Sequence, residues 1–335
     1  MDNTFSKSWI NMRVEYDEAS RSSVLVDHLN KLSKKHEIDL IDFCCGTGSF
    51  LMWALNKNIS FQNCILVDYD IKLLKSIKSN LRTHLKSKYT IQSNTNNLNL
   101  LIKKNSKTIS SVSIEKYDCD EYSLKNKTLH VISYSAALDL MSESSIDIAL
   151  KKIKKNNIFY FSLCFNGLVK WTTTNTFDKY ILAFFNNHQR SDKGFGNALG
   201  YKSIESLRKK AGKLNLNITI ADSPWIIKNK SEKDTTFMKR YLLDVRKSLF
   251  HMEGIDKNIL RKWYEDKKYD CDEYSLKNKN FHIISYSAAL DLMSKSSIDI
   301  ALKKIKTNNI LYFSLCFNGL VKWTPTNTFL SLIHI

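Results

Sequence analysis

Asp42-Phe43-Cys44-Cys45-Gly46-Thr47-Gly48-Ser49 follows the apolar run Ile38–Ile41 and opens a segment with helical spacing. A second apolar run, Cys64-Ile65-Leu66-Val67, ends in Asp68-Tyr69-Asp70. Strand, glycine-bearing turn, helix, strand and carboxylate is the order in which an α/β sheet builds a nucleoside pocket. Glycines let backbone approach the ligand, and an acid at the end of the next strand accepts hydrogen bonds from ribose hydroxyls. A dinucleotide fingerprint starting at Gly46 and Gly48 needs a small residue at position 51, where Leu51 stands, so NAD is not expected. An ordinary ligand-free βα turn is the competing reading, and the two carboxylates weigh against it.

Working outward, 335 residues at 43% apolar, with only nine Gly and two Pro, describe a globular chain able to bury a full core. No run of about 18 apolar residues is present, and the N-terminal stretch has no signal-peptide core, so a cytoplasmic location is expected. Seven cysteines without C-x-x-C spacing argue for a reducing compartment and against a zinc site, and no metal is expected. Cys44 and Cys45 read as buried packing residues rather than nucleophiles. The net charge of +18 invites a nucleic-acid partner. The lysines are spread along the chain without aromatic interleaving, however, and that partner is the less favoured one.

The chain contains a copy of part of itself. Residues 117–177 recur at 269–329 with seven substitutions at a constant offset of 152. Solenoid units are shorter and need three or more copies, and this copy lacks the glycine turn. It reads as a fragment of a domain spanning 1–266, copied into 267–335. The ending Leu330-Ser331-Leu332-Ile333-His334-Ile335 has no counterpart after Phe177 and reads as an artefactual tail resembling translated adapter sequence. Copy and ending together favour a misassembled reading frame over a real duplication. The copied strands at 282–287 and 310–317 have no slot in one sheet and are expected to pack poorly outside it.

Between these landmarks strands and helices alternate. Strands are predicted at 38–43, 64–67, 113–117, 130–135, 158–165 and 217–221. Helices are predicted around 24–32, 49–55, 71–85, 98–104, 146–153, 178–187, 203–214 and 236–249. Asn166-Gly167 predicts a hairpin returning through 168–171. Alternating βα units mean a mostly parallel sheet with helices on both faces.

Four stretches together resemble class I methyltransferases that use S-adenosylmethionine (SAM), and within them a small bacterial group of unassigned substrate. The first is Trp9-Ile10-Asn11-Met12-Arg13-Val14-Glu15 with Asp17 and Arg21. The second is the 42–48 turn, matching D/E-x-G-x-G-x-G with Cys44 in place of the first glycine, together with Val67–Asp70. The third is Ser133–Leu140, and the fourth is Phe185–Gly196 followed by Asp222-Ser223-Pro224-Trp225. The resemblance covers roughly residues 8 to 250.

That resemblance implies a Rossmann-like, mostly parallel seven-stranded sheet with the SAM site at the carboxyl ends of strands 1 to 4. Asp68 would hold the ribose hydroxyls. Backbone from Cys44 through Cys45 and Gly46 to Gly48 would lie against the methionine part, and Asp42 would fix the turn or reach the ammonium. Asp118 or Asp120 would reach the adenine, a choice the sequence leaves open, and Ser135 ends the fourth strand beside the cofactor. Asp139 and His188 are the candidates for proton transfer. Arg13, Asn187, Arg190 and Lys193 are the candidate substrate contacts, the last two suited to an anion. Expected is a methyltransferase for a small, anionic substrate, acting as a monomer or weak homodimer with no membrane partner. Its rivals are an RNA or protein methyltransferase and a non-catalytic nucleoside-binding protein.

Overall fold

The computed structural model describes residues 6–85, 88–94, 98–124, 129–153, 157–192, 196–228, 230–277, 283–287 and 310–314. It divides into two compact units, Met1–Cys271 and Asp272–Ile335. In the first, β1 (Asp39–Phe43) lies parallel to β2 (Asn63–Asp68), and β2 to β5 (Lys107–Lys116). On its other side β1 pairs in parallel with β6 (His130–Ser135), and β6 with β7 (Ile158–Ser162). The short β3 (Thr90–Ser93) and β4 (Asn99–Lys104) add antiparallel strands beyond β5. The order β3-β4-β5-β2-β1-β6-β7 is that of a Rossmann-like α/β sheet. Chain order reverses between β1 and β6, and ligands of open α/β sheets bind outside the carboxyl ends of such a pair.

All five residues of β1 are buried, because both faces are covered. Leu40 points into a core built with α2 (Ser23–Lys35), α3 (Ser49–Asn56) and α5 (Ile77–Leu85). Ile41 and Phe43 point into a second core roofed by α6 (Glu143–Lys151) and α8 (Ser203–Lys213). A third cluster joins α7 (Asp178–His188), α9 (Glu232–Leu249) and α10 (Lys257–Lys277). The remaining helices are α1 (Lys7–Ser20) and the single turn α4 (Ile71–Leu74). The predicted helix 71–85 is split between α4 and α5, where the Ser76 hydroxyl bonds back to the Leu73 carbonyl at 2.6 Å.

Three expectations are corrected. The predicted helix 98–104 is β4: Leu100 and Ile102 are buried while Leu101 is exposed, a period of two. Asn105 and Ser106, with φ of 50° and 64°, make the two-residue left-handed turn that joins β4 to β5. Asn166-Gly167 does turn, with Asn166 Oδ1 accepting from the Leu168 N–H, but no returning strand forms among residues 163–177. The turn is instead packed against Tyr201, and its Gly167 carbonyl accepts from Asn186 Nδ2. Residues 217–221 form no strand either: Ile218 and Ile220 stay exposed, so no sheet face receives their alternation.

The expected domain end at 266 falls inside α10, which runs on to Lys277. Lys267 and Cys271 are buried in the first unit. The second unit holds β8 (Ile283–Ser287) and β9 (Ile310–Ser314), a parallel pair. Ile283 faces Ile310 as Val131 faces Ile158, the same register 152 residues on. The rest of the copied stretch lies outside the described residues. Among the described residues no helix is long and apolar enough to cross a membrane.

Candidate functional site

Three neighbouring strands end in a left-handed residue at the same edge. Cys44 after β1, Ala136 after β6 and Leu163 after β7 have φ of 53°, 56° and 59°. A residue with a Cβ pays roughly 1–2 kcal/mol for that conformation, and such strain concentrates where a loop must take one particular shape. Gly46 and Gly48 alternate with Cys44 at φ of 55° and 81°, and a Cβ on Gly48 would stand 3.3 Å from Ile77. The turn is tied down by its neighbour strand. Asp68 Oδ2 accepts the Gly46 N–H at 2.8 Å, and the Val67 carbonyl accepts the Cys45 N–H at 3.1 Å. Asp68 Oδ1 accepts from the Asp70 N–H at 2.8 Å, and the Tyr69 backbone amide also bonds the carboxylate, so the acid is held by three amides.

Beneath this turn lies Asp42, fully buried beside the equally buried Ser133 hydroxyl. Burial pushes it up to about 7, while the Ser133 hydroxyl and then the charge of Arg21 pull it down. A carboxylate whose burial so outweighs its partners is costly, and it is the feature of this edge that most wants a cation. Arg21, at the end of α1, is itself buried. It donates to Ser135 Oγ at 2.8 Å and to Ser162 Oγ, and its guanidinium lies 4.9 Å from the Trp53 ring centre. The candidate Ser135 is therefore part of a clamp joining α1 to the ends of β6 and β7.

Helix α1 lies over the glycine turn, with Ile10 Cδ1 4.0 Å from where a Cβ on Gly46 would stand. Arg13 pairs with Asp17 at 2.8 Å, and Asp17 also accepts from Trp225 Nε1 at 2.9 Å. Tyr16 donates to Asp234 at 2.7 Å, and Trp9 stacks on Phe237 of α9 at 5.2 Å. The charge of Arg13 reaches Asp139, in the short 3-10 turn Leu138–Leu140 after β6. Burial pushes Asp139 up to about 6, while the backbone amides of Asp139 and Phe165 and then Arg13 pull it down. A carboxyl group raised toward neutrality at the end of a sheet strand is suited to taking a proton.

The remaining candidates fall in two places. Asp118 and Asp120 are half-buried in the loop after β5; Asp120 accepts from Ser145 Oγ at 2.6 Å and Asp118 from the Asp120 N–H at 2.9 Å. Cys45 is buried, its thiol pushed up by that burial, and Cys44 Sγ lies 3.8 Å from Cys119 Sγ. Asn187 and Arg190 are exposed at the end of α7, and His188 is its last residue, half-buried. Arg190 packs against Gly200, and the adjacent Leu199 N–H bonds the Met141 carbonyl just past Asp139. Lys193 lies outside the described residues. The roles of Ser162 and Cys119 had no signal in the sequence, because each depends on a partner far away in the chain.

No family model matches the chain, and no curated protein does. Among solved structures it is similar to a protein from Nostoc punctiforme assigned as an O-methyltransferase, at 14% identity. That match covers 62% of this chain and 52% of the other, with a TM-score of 0.38. A SAM-dependent methyltransferase from Clostridium acetobutylicum matches at 14% identity over 46% of this chain and 57% of its own, TM-score 0.30. The small RNA methyltransferase HEN1 matches at 18% identity over 64% of this chain and 23% of its own, TM-score 0.35. The chain thus spans less than two thirds of each of these three, and at such scores the fold stands on the sheet order and the function on the site.

Proposed function

We propose that this chain is a SAM-dependent methyltransferase. The observation that carries the reading is Asp42, a fully buried carboxylate whose burial outweighs the help of Ser133 and Arg21, beneath a strained, glycine-bearing turn at the switch point of the sheet. These residues fit the cofactor: Asp42 would offer its charge to an α-ammonium, the 44–48 backbone would lie against a methionine chain, and the Asp68 carboxylate would accept from ribose hydroxyls. Asp118 and Asp120 offer acceptors for an adenine amino group. When bound, SAM supplies an activated methyl group on a sulfonium.

The chain's own part is placement, exclusion of water and removal of a proton from the acceptor. Helix α1 covers the turn and keeps water out. Asp139 takes the proton, with His188 as the second candidate. Arg190 and Lys193 hold an anionic group on a small acceptor, with Arg13 and Asn187 at the margin. Calorimetry with SAM and S-adenosylhomocysteine tests the cofactor, with micromolar binding of both and no binding of NAD expected. Absence of SAM binding by the folded chain overturns the reading. Methylation of RNA or protein, but of no small molecule, overturns the choice of substrate.

A further inference from the structure

We propose that Cys44 and Cys119 are an oxidisable dithiol that closes to a disulfide across the carboxyl end of β2. Both are free cysteines, one in the turn after β1 and one in the loop after β5. Strand β2 lies between those two strands, so β1 and β5 are separated by about 10 Å of sheet. Their following loops nevertheless lean together until the two sulfurs are 3.8 Å apart. A disulfide needs about 2 Å, which small side-chain rotations on two loops can supply.

The backbone at Cys44 gives a second reason to attend to this side chain. Its φ of 53° is one that glycine adopts freely and a residue with a Cβ adopts at a cost. The thiol for which that cost is borne points at another thiol. Cys119 is buried and Cys44 is the more accessible of the two, so oxidation starts at Cys44. With hydrogen peroxide as the oxidant, the Cys44 sulfur takes one peroxide oxygen to become a sulfenic acid, and the other leaves as water. The Cys119 sulfur then attacks the Cys44 sulfur, the S–S bond forms, and the sulfenic hydroxyl leaves as a second water carrying the Cys119 proton. Two thiols and one peroxide thus give one disulfide and two waters. The hydrogen bond to Cys119 and then burial raise the Cys44 thiol well above its ordinary value, which makes the first step slow and leaves the reduced pair stable under mild conditions.

The bridge would strap the end of β2, where Asp68 and Asp70 stand, and close the nucleoside half of the edge. This consequence rests on the function proposed above; the cross-link itself does not. Full-length protein is reduced, treated with hydrogen peroxide and digested without reductant for peptide mapping by mass spectrometry. The expected product joins the peptide containing Cys44 to YDCDEYSLK, with two free thiols lost and both recovered by dithiothreitol. Trypsin releases the same YDCDEYSLK from 117–125 and from 269–277, so Cys119→Ser decides between Cys119 and Cys271. In that variant the cross-link disappears. Affinity of the unmutated protein for S-adenosylhomocysteine falls at least tenfold on oxidation and returns on reduction, while Cys119→Ser keeps its affinity through peroxide. A Cys44–Cys45 link, a link that survives Cys119→Ser, or Cys44 ending as sulfinic acid beside a free Cys119 overturns the dithiol. A cross-linked protein that binds as tightly as the reduced one overturns the strap. Reduced protein that binds no S-adenosylhomocysteine overturns the proposed function instead, with the peptide map still deciding the disulfide.

Discussion

The Gly46 N–H donates to the Asp68 carboxylate at 2.8 Å, so the acid that ends β2 holds the turn that follows β1. One side chain therefore shapes the turn and, in the proposed function, holds the ribose. Asp68→Ala is expected to weaken SAM binding by on the order of 2 kcal/mol, through lost charged acceptors. Calorimetry on the two proteins checks it, and unchanged affinity would refute the role.

Asp42 predicts a pH dependence with a definite sign. Its carboxyl is raised to about 7 in the folded protein by burial, against an ordinary value near 4. Only the ionised form attracts an ammonium, so cofactor affinity should rise as pH passes upward through about 7. Stability of the cofactor-free protein should do the opposite. The folded state holds a proton that the unfolded state has lost between about pH 4 and 7, so stability falls across that window. Asp42→Asn should raise the melting temperature at pH 8, by on the order of 3 kcal/mol in stability, and abolish the pH dependence of binding. A lower melting temperature in that variant would show that the charge is compensated.

If Asp139 is the proton acceptor, activity should rise through about pH 6, where burial has placed it. Asp139→Asn should lower kcat by about 100-fold or more with KM little changed. A pH profile that keeps its acidic limb in Asp139→Asn would assign the limb to another group, His188 first.

At the end of the first unit, Lys267 is buried with its ammonium on the Thr173 carbonyl at 2.6 Å and Asp178 at 3.1 Å, 4.8 Å from the Trp171 ring centre. Removing one partner of a buried pair costs roughly 3–5 kcal/mol. A chain stopped after Lys277 should therefore keep its melting temperature, whereas one stopped after Asp266 should lose several degrees. Equal melting of the two truncations would count against this.

How far the sequence could be read follows from which forces are local. The 42–48 turn and the Asp68 carboxylate were legible because a glycine turn between two apolar runs is a local pattern. The Asn-Ser turn at 105–106 was also local, yet the helix-like count of apolar residues at 98–104 hid it. Arg21 reaching Ser135 and Ser162, and Trp225 reaching Asp17, bridge more than a hundred residues and leave no local mark. The clearest limit is the stretch YDCDEYSL itself. At 117–124 it is a loop carrying Cys119 toward Cys44, and at 269–276 it is helical, the end of α10. Eight identical residues take two conformations because the elements before them differ, a strand in one case and a helix in the other.

The matched registers of β6–β7 and β8–β9 have a further meaning. Five residue pairs form in the same alignment in the large sheet and apart from it, so the instructions for that alignment travel with the segment. A segment that carries its own pairing rules forms the same two-strand unit wherever it stands in a chain. Among the described residues the β8–β9 pair has no third strand, and an unpaired strand edge offers hydrogen bonds to any strand that meets it. Transplanted fragments of parallel sheets are in this sense adhesive before they are useful.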